Sequence, residues 1–150
     1  MIKIFGIGNP LLKDDGIGLK VTETLKENEQ VKIYQTEIFV EDALEQIEET
    51  DYVVIIDAVQ LDRHVGEIHF LSFEECGRLI QPKVFCHEMS LLGTLLLEYP
   101  MIKGELIGIE IAEVDYGEEL SFELSQNLSK IIDQVTLHIN ALIRKGISDA

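Results

Sequence analysis

The chain has 150 residues, 46% of them hydrophobic, which is the size and apolar content of a single domain spanning residues 1–150. Its 28 acidic and 12 basic residues give a formal net charge of −16, which argues against nucleic acid as a partner because phosphate binding depends on Lys and Arg. We expect no signal peptide and no membrane insertion, and Cys76 and Cys86 lack a C-x-x-C pairing, so a cytoplasmic protein with reduced thiols is predicted.

The predicted elements alternate between strands and helices. Residues 1–7 are apolar except for Lys3 and predict a strand buried on both faces of a sheet. Ile17, Val21 and Leu25 then recur every fourth residue and predict a helix that ends near residues 26–28. Further strands are predicted at residues 31–36, 51–59, 66–73 and 104–112, and further helices at residues 40–47, 74–80, 88–99 and 121–146.

The order of these elements predicts an α/β fold with a largely parallel sheet. The β-branched run at residues 52–56 should form a central strand. Residues 60–65 are too few for a parallel crossover, which needs about a dozen residues, so the fourth strand should run antiparallel near an edge. We therefore predict a three-layer α/β/α sandwich around a five-stranded, mostly parallel mixed sheet.

The loop at residues 6–18 joins the first strand to the first helix and carries two adjacent carboxylates, Asp14 and Asp15. A nucleotide-binding module would use a similar strand, glycine-rich loop and helix, but two carboxylates would occupy the place of the phosphates. A carboxylate pair there suits a cation or proton transfer. The alternative is that Asp14 or Asp15 only caps the helix.

Asp57 and His87 could join Asp15 at the same edge of the sheet. Asp57 closes the third strand, and ligands of open α/β sheets bind beyond the carboxyl ends of the strands. The simpler interpretations are that Asp57 begins a turn and that His87 is structural, and a structural role is also expected for the remaining histidines, His64, His69 and His138. Two carboxylates and one imidazole would leave positions open on a divalent first-row metal ion.

The string G-x-G-N-P-L-L-x-D-D-G-x-G at residues 6–18 resembles the N-terminal signature of the nickel-iron hydrogenase maturation endopeptidases. The resemblance continues through I-I-D-A at Asp57, H-E-M-S-L-L-G-T-L-L from His87, and a G-x-x-L-S segment ending at Ser121 that opens the last helix. These enzymes trim the C-terminus of a hydrogenase large-subunit precursor after nickel insertion. The resemblance implies that Asp15, Asp57 and His87 are the metal ligands and catalytic residues.

The resemblance also implies that nickel is carried by the substrate and is not held permanently by the enzyme. The expected partner is the nickel-iron hydrogenase large-subunit precursor, and the enzyme itself is expected to be a monomer. Nickel could activate the attacking water as a Lewis acid, or Asp14 or Asp15 could act as general base. The rival functions are a metal-binding chaperone or sensor without hydrolytic activity and, more remotely, the nucleotide-binding module.

Overall fold

The computed structural model describes residues 1–36, 40–79 and 88–146, and its strands form one mixed sheet. The strands are β1 (Ile2–Ile7), β2 (Val31–Thr36), β3 (Tyr52–Val59), β4 (Ile68–Ser72) and β5 (Lys103–Glu110). Their order is β2-β1-β3-β5-β4, with β4 antiparallel to β5 and the other pairs parallel. The predictions of a mixed five-stranded sheet, a central third strand and an antiparallel edge strand are confirmed.

Helices cover both faces of the sheet and complete the three predicted layers. They are α1 (Ile17–Thr22), α2 (Val40–Glu45), α3 (Phe73–Leu79), α4 (Glu88–Glu98) and α5 (Phe122–Arg144). Side chains of β3 alternate between the faces: Val54 and Ile56 pack towards α1 and α5, while Val53 and Ile55 pack towards α2, α3 and α4. Among the described residues, no helix is both long and apolar enough to cross a bilayer.

The first helix ends earlier than its apolar spacing predicts. The Thr22 hydroxyl donates to the carbonyls of Gly18 (2.9 Å) and Leu19 (3.0 Å), and the N–H groups of Thr24 and Leu25 bond three residues back, which tightens the chain into a turn. Leu25 nevertheless packs against the core. The apolar spacing therefore correctly indicates that Leu25 packs against the core, but its prediction that the helix continues to residues 26–28 is wrong.

The strand order reverses at β1, which pairs with β2 on one side and with β3 on the other. In doubly wound sheets such a reversal leaves a crevice beyond the carboxyl ends of the two strands that flank it. The loop after β1 and the last residues of β3 lie on that side of the sheet, so this topology makes Asp15 and Asp57 candidate site residues.

Candidate active site

The loop after β1 folds back on itself around Asp15. The backbone N–H of Asn9 donates to Asp15 Oδ2 (2.9 Å), and the Asn9 side chain accepts from the N–H of Leu11 (2.9 Å). A Cβ atom on Gly8 would lie 2.2 Å from the Asp15 carbonyl oxygen, so this approach requires glycine. Gly8 and Asn9 of the motif thus hold the buried Asp15 in place.

Asp14 faces a different set of partners. One oxygen, Oδ2, accepts from the N–H groups of Ala112 and Glu113 (both 3.0 Å) and from the Ser121 hydroxyl (2.8 Å). The other, Oδ1, accepts from the N–H of Ser121 (2.7 Å). Ser121 is the N-cap of α5, so Asp14 connects the first loop to the end of β5 and the start of the last helix.

Neither aspartate caps α1, whose N-cap is Gly16 and has no side-chain capping bond. A short 3-10 helix, Lys13–Gly16, precedes α1 and carries both acids. The capping alternative is therefore wrong for α1. The motif residue Gly18 explains the position of this segment, because a Cβ there would lie 2.4 Å from the carbonyl oxygen of Ile56 and 2.6 Å from that of Ile7. The helix thus begins directly against the carboxyl ends of β3 and β1.

Asp57 is fully buried on the neighbouring strand. It lies within β3, which continues to Val59, and it pairs in register with Gly108 of β5, so it neither closes the strand nor begins a turn. Its Oδ1 accepts from the N–H of Ala58 (2.7 Å). By the alternation of the strand, Asp57 shares the face of Val53 and Ile55, which is the face covered by α4.

Of the three predicted site residues, two are described: Asp15 lies in the loop after β1, and Asp57 lies near the end of the adjacent strand β3. His87 lies outside the described residues, and α4 begins at the next residue, Glu88. Within residues 1–36, 40–79 and 88–146, no three His, Cys, Asp or Glu side chains are grouped closely enough to hold a metal ion. The three-ligand site therefore stays a prediction.

A second polar pair, absent from the sequence predictions, joins a histidine in the cross-strand row of Asp57 to a glutamate two residues beyond that row on β5. His69 of β4 is opposite Gly108, which in turn pairs with Asp57, so Gly108 separates the two side chains on one face of the sheet. His69 Nε2 contacts the buried Glu110 carboxylate (3.2 Å), which also accepts from the N–H of Leu61 (2.9 Å to Oε2). Glu110 ends an apolar strand as Asp57 nearly does, and that shared pattern could have revealed it.

The other histidines lie away from this row. His138 of α5 hydrogen-bonds Glu105 and stacks on Phe70, with ring centroids 4.3 Å apart. Its partner Glu105 is on the opposite face of the sheet, and His64 is exposed in the loop before β4. The structural role expected of His138 agrees with these contacts.

Fold and site together define an α/β protein with two buried carboxylates at the switch point of its sheet. A family model described as HycI, hydrogenase maturation protease, matches residues 17–141, well over half of the chain. The match begins after the carboxylate pair, so it is independent of most of the first motif. The chain therefore belongs to the hydrogenase maturation protease family, and it is a peptide-bond hydrolase.

Individual relatives agree with this assignment. A putative hydrogenase maturation protease of Methanocaldococcus jannaschii is 28% identical, with 89% of each chain covered. The NiFe hydrogenase maturation protease HybD from Thermococcus kodakarensis is 27% identical and superposes with a TM-score of 0.75 over 89% of this chain and 95% of its own. The hydrogenase maturating endopeptidase HybD from E. coli shares the fold, with a TM-score of 0.79 over 97% and 93% of the two chains at 22% identity.

Proposed function

We propose that this protein removes the C-terminal extension of a nickel-iron hydrogenase large-subunit precursor after nickel insertion. The observation that carries the proposal is that two buried carboxylates, Asp15 in the loop after β1 and Asp57 near the end of β3, lie at the edge of the sheet where the strand order reverses. Two carboxylates at one edge of the sheet attract a cation, and nickel carried by the precursor would be that cation.

Asp15, Asp57 and His87 are the proposed ligands and catalytic residues. Two carboxylates and one imidazole occupy only part of the coordination shell of a divalent first-row ion, so the remaining positions stay available to groups of the precursor. The enzyme would thereby recognise the loaded precursor and hold the adjacent peptide bond in place. Hydrolysis adds the water oxygen to the peptide carbonyl carbon, breaks the C–N bond and leaves a carboxylate and a new amine, with a water proton passing to the amine.

The hydrogen bonds of the first loop favour Asp15 over Asp14 wherever a carboxylate takes part in proton transfer. The Asp14 carboxylate accepts three N–H groups and one hydroxyl, so its oxygens are already engaged by the protein. Turning it away from those donors would leave them without these hydrogen bonds. We therefore assign Asp14 to holding the loop, and leave water activation to substrate-borne nickel or to Asp15.

The test compares nickel-loaded and nickel-free large-subunit precursor from the same organism, each incubated with the protein and then measured by intact mass. The loaded precursor should lose a C-terminal fragment, and the nickel-free precursor should keep its full mass. Equal cleavage of both would reject nickel-dependent recognition. No cleavage of either would reject the proteolytic function and favour a metal-binding chaperone or sensor.

The proposed enzyme is a cytoplasmic monomer.

A further inference from the structure

Four large apolar side chains are exposed on the rim beside the candidate active site. They are Leu11, Val114, Tyr116 and Phe122, with exposed fractions of 57%, 40%, 87% and 74%, and we call them the rim patch. Leu11 belongs to the loop after β1, Val114 and Tyr116 belong to the segment between β5 and α5, and Phe122 is the first residue of α5. Large exposed apolar groups brought together beside a functional crevice are typical of interaction surfaces.

A short backbone bridge holds the first half of this patch together. Leu12 and Gly117 form a parallel β-bridge, in which the N–H of Gly117 donates to the Leu11 carbonyl (2.9 Å) and the N–H of Lys13 donates to the Gly117 carbonyl (2.8 Å). Because Tyr116 precedes Gly117, its ring is attached next to Leu11. The bridge therefore fixes two exposed apolar side chains beside the turn that carries Asp15.

The Asp14 carboxylate fixes the second half. It accepts the N–H groups of Glu113 and Ser121, which immediately precede Val114 and Phe122. Each of the four apolar residues therefore takes part in, or lies next to a residue that takes part in, a hydrogen bond between residues 11–14 and residues 113–121. The surface is preorganised by the same loop that carries the candidate ligand, which lowers the entropy lost when a partner binds.

The charge around the rim patch is strongly negative. Five exposed acids lie in the same segment, Glu113, Asp115, Glu118, Glu119 and Glu123, and residues 111–123 contain no Lys or Arg. Lys13, whose backbone N–H donates to Gly117 of this segment, is paired with Glu113 (3.4 Å). A segment that docks here must therefore bring positive charge with its apolar side chains.

We propose that the rim patch docks a basic segment of the large-subunit precursor that carries apolar or aromatic side chains next to its Lys or Arg residues. This inference rests on the proposed function and extends it from the reacting bond to the surface that recognises the substrate. Docking here would present the adjoining chain of the precursor to the crevice at Asp15 and Asp57. A second copy of this protein fits the surface poorly, because an isologous contact would bring the acids of one copy against those of the other.

The test uses a double variant, Tyr116→Ser with Phe122→Ser, and a matched control at the other end of the sheet. The control is Leu97→Ser with Met101→Ser, whose side chains are exposed to nearly the same extent, 85% and 83%, at the end of α4 and before β5. Cleavage of nickel-loaded precursor is followed over a range of concentrations. The rim variant should raise KM about tenfold with kcat unchanged, and the control should match the wild type.

A charge variant, Glu118→Gln with Glu119→Gln, tests the basic character of the partner. It should weaken precursor binding at low salt and flatten the dependence of binding on salt, since exposed charges are screened over about 8 Å at physiological ionic strength. Binding is measured directly by interferometry with uncleaved precursor, so this measurement does not require proteolysis. Concentration-dependent association of the wild type that the rim variant abolishes would overturn the proposal in favour of self-association.

The outcomes of the two proposals can be separated. If the wild type cleaves the precursor and the rim variant has unchanged KM and binding, the docking surface is wrong and the protease function stands. If the wild type binds the precursor without cleaving it and the rim variant binds more weakly, the surface stands and the protease function fails. Equal losses in the rim variant and in the control variant also reject the surface.

Discussion

Asp14 and Asp15 are neighbours in the chain and both are buried, yet their carboxylates have different partners. Asp14 accepts four hydrogen bonds from the segment between β5 and α5, whereas Asp15 accepts the N–H of Asn9 within its own loop. The sequence indicates a functional carboxylate pair but cannot divide the roles. The partners of Asp14 are 98 to 107 residues away along the chain, and only the folded structure brings them together.

The division of roles predicts that Asp14→Asn destabilises the protein. Asparagine keeps one acceptor oxygen but turns an NH2 group towards donors that need an acceptor, which should lower the free energy of unfolding by about 2–4 kcal/mol. Urea unfolding measures the loss. Asp133→Asn, on the exposed face of α5, is the control and should change stability by less than about 0.5 kcal/mol. Equal midpoints for the two variants would contradict the structural role of Asp14.

Unlike Asp14→Asn, Asp57→Asn should greatly reduce activity and leave stability almost unchanged. The substitution keeps shape and hydrogen-bonding capacity but removes the charge proposed to attract substrate-borne nickel. Cleavage of loaded precursor should fall by about 100-fold or more, since even outer-shell changes at metal sites cost 10- to 100-fold. His138→Gln is the control and should cleave normally, because His138 lies on another face, whereas His69 shares the row of Asp57. Cleavage by Asp57→Asn at the wild-type rate, with circular dichroism showing a folded protein, would reject the ligand role.

Local sequence patterns predict which segments form strands and helices, whereas tertiary contacts determine where each of those elements ends. The short link before β4 correctly predicts an antiparallel edge strand, because chain geometry alone forbids the alternative. The early end of α1 is not readable from apolar spacing, since it depends on Thr22. A Cβ on Gly6 of β1 would lie 2.3 Å from the Thr22 hydroxyl oxygen, so this end of the helix also depends on a glycine in another element.

The contact between α1 and the strands predicts a strong effect of Gly18→Ala. The added Cβ would overlap two backbone carbonyl oxygens, so the helix must move away from β1 and β3, and stability should fall by about 2 kcal/mol or more. Gly93→Ala in α4 is the matched control. A Cβ at Gly93 meets nothing within 4 Å, so alanine there should stabilise the helix by about 0.5–1 kcal/mol. Thermal unfolding of both variants should show shifts of opposite sign, and a neutral Gly18→Ala would contradict the close approach.

Glu105 connects β3, β5 and α5 near the amino ends of the strands, and this contact predicts an alkaline limit on stability. Burial, the hydrogen bond that the Tyr52 hydroxyl donates to Glu105 Oε2 (2.7 Å) and the nearby negative charge raise the pKa of Tyr52. A pKa above the unfolded value of about 10 means that this contribution is complete below about pH 10 and is lost as the pH rises further.

The measurement is urea unfolding of the wild type and of Tyr52→Phe from about pH 8 to pH 11. Tyr52→Phe should lose stability less steeply above about pH 10, because it has no phenol to ionise. Tyr116→Phe, at the exposed tyrosine, should decline in parallel with the wild type. Parallel curves for Tyr52→Phe and the wild type would contradict the prediction.

At the scale of the whole molecule, the first motif and the order of elements together predict both the family and the edge of the sheet that bears the site. The switch point lies between β1 and β3, so the loop that carries Asp15 and the end of β3 that carries Asp57 share one edge of the sheet. The position of Glu110 at the end of an apolar strand is readable from the sequence, but its contact with His69 near Asp57 is not, because that contact depends on β5 lying between β3 and β4. The single domain over residues 1–150 and the third ligand, His87, stay predictions.

The isolated protein should bind nickel weakly when the precursor is absent. Two carboxylates and one imidazole provide a partial coordination shell, and the proposed function leaves the rest to the precursor. If about 100 µM nickel remains below the dissociation constant, the free energy of unfolding should rise by less than about 0.4 kcal/mol, which is RT ln 2. For a sensor or chaperone whose dissociation constant for nickel is about a hundredfold below the added concentration, the free energy of unfolding would rise by about 2.7 kcal/mol. Urea unfolding with and without nickel distinguishes the two, and a gain of that size that Asp57→Asn removes would assign nickel to this protein itself.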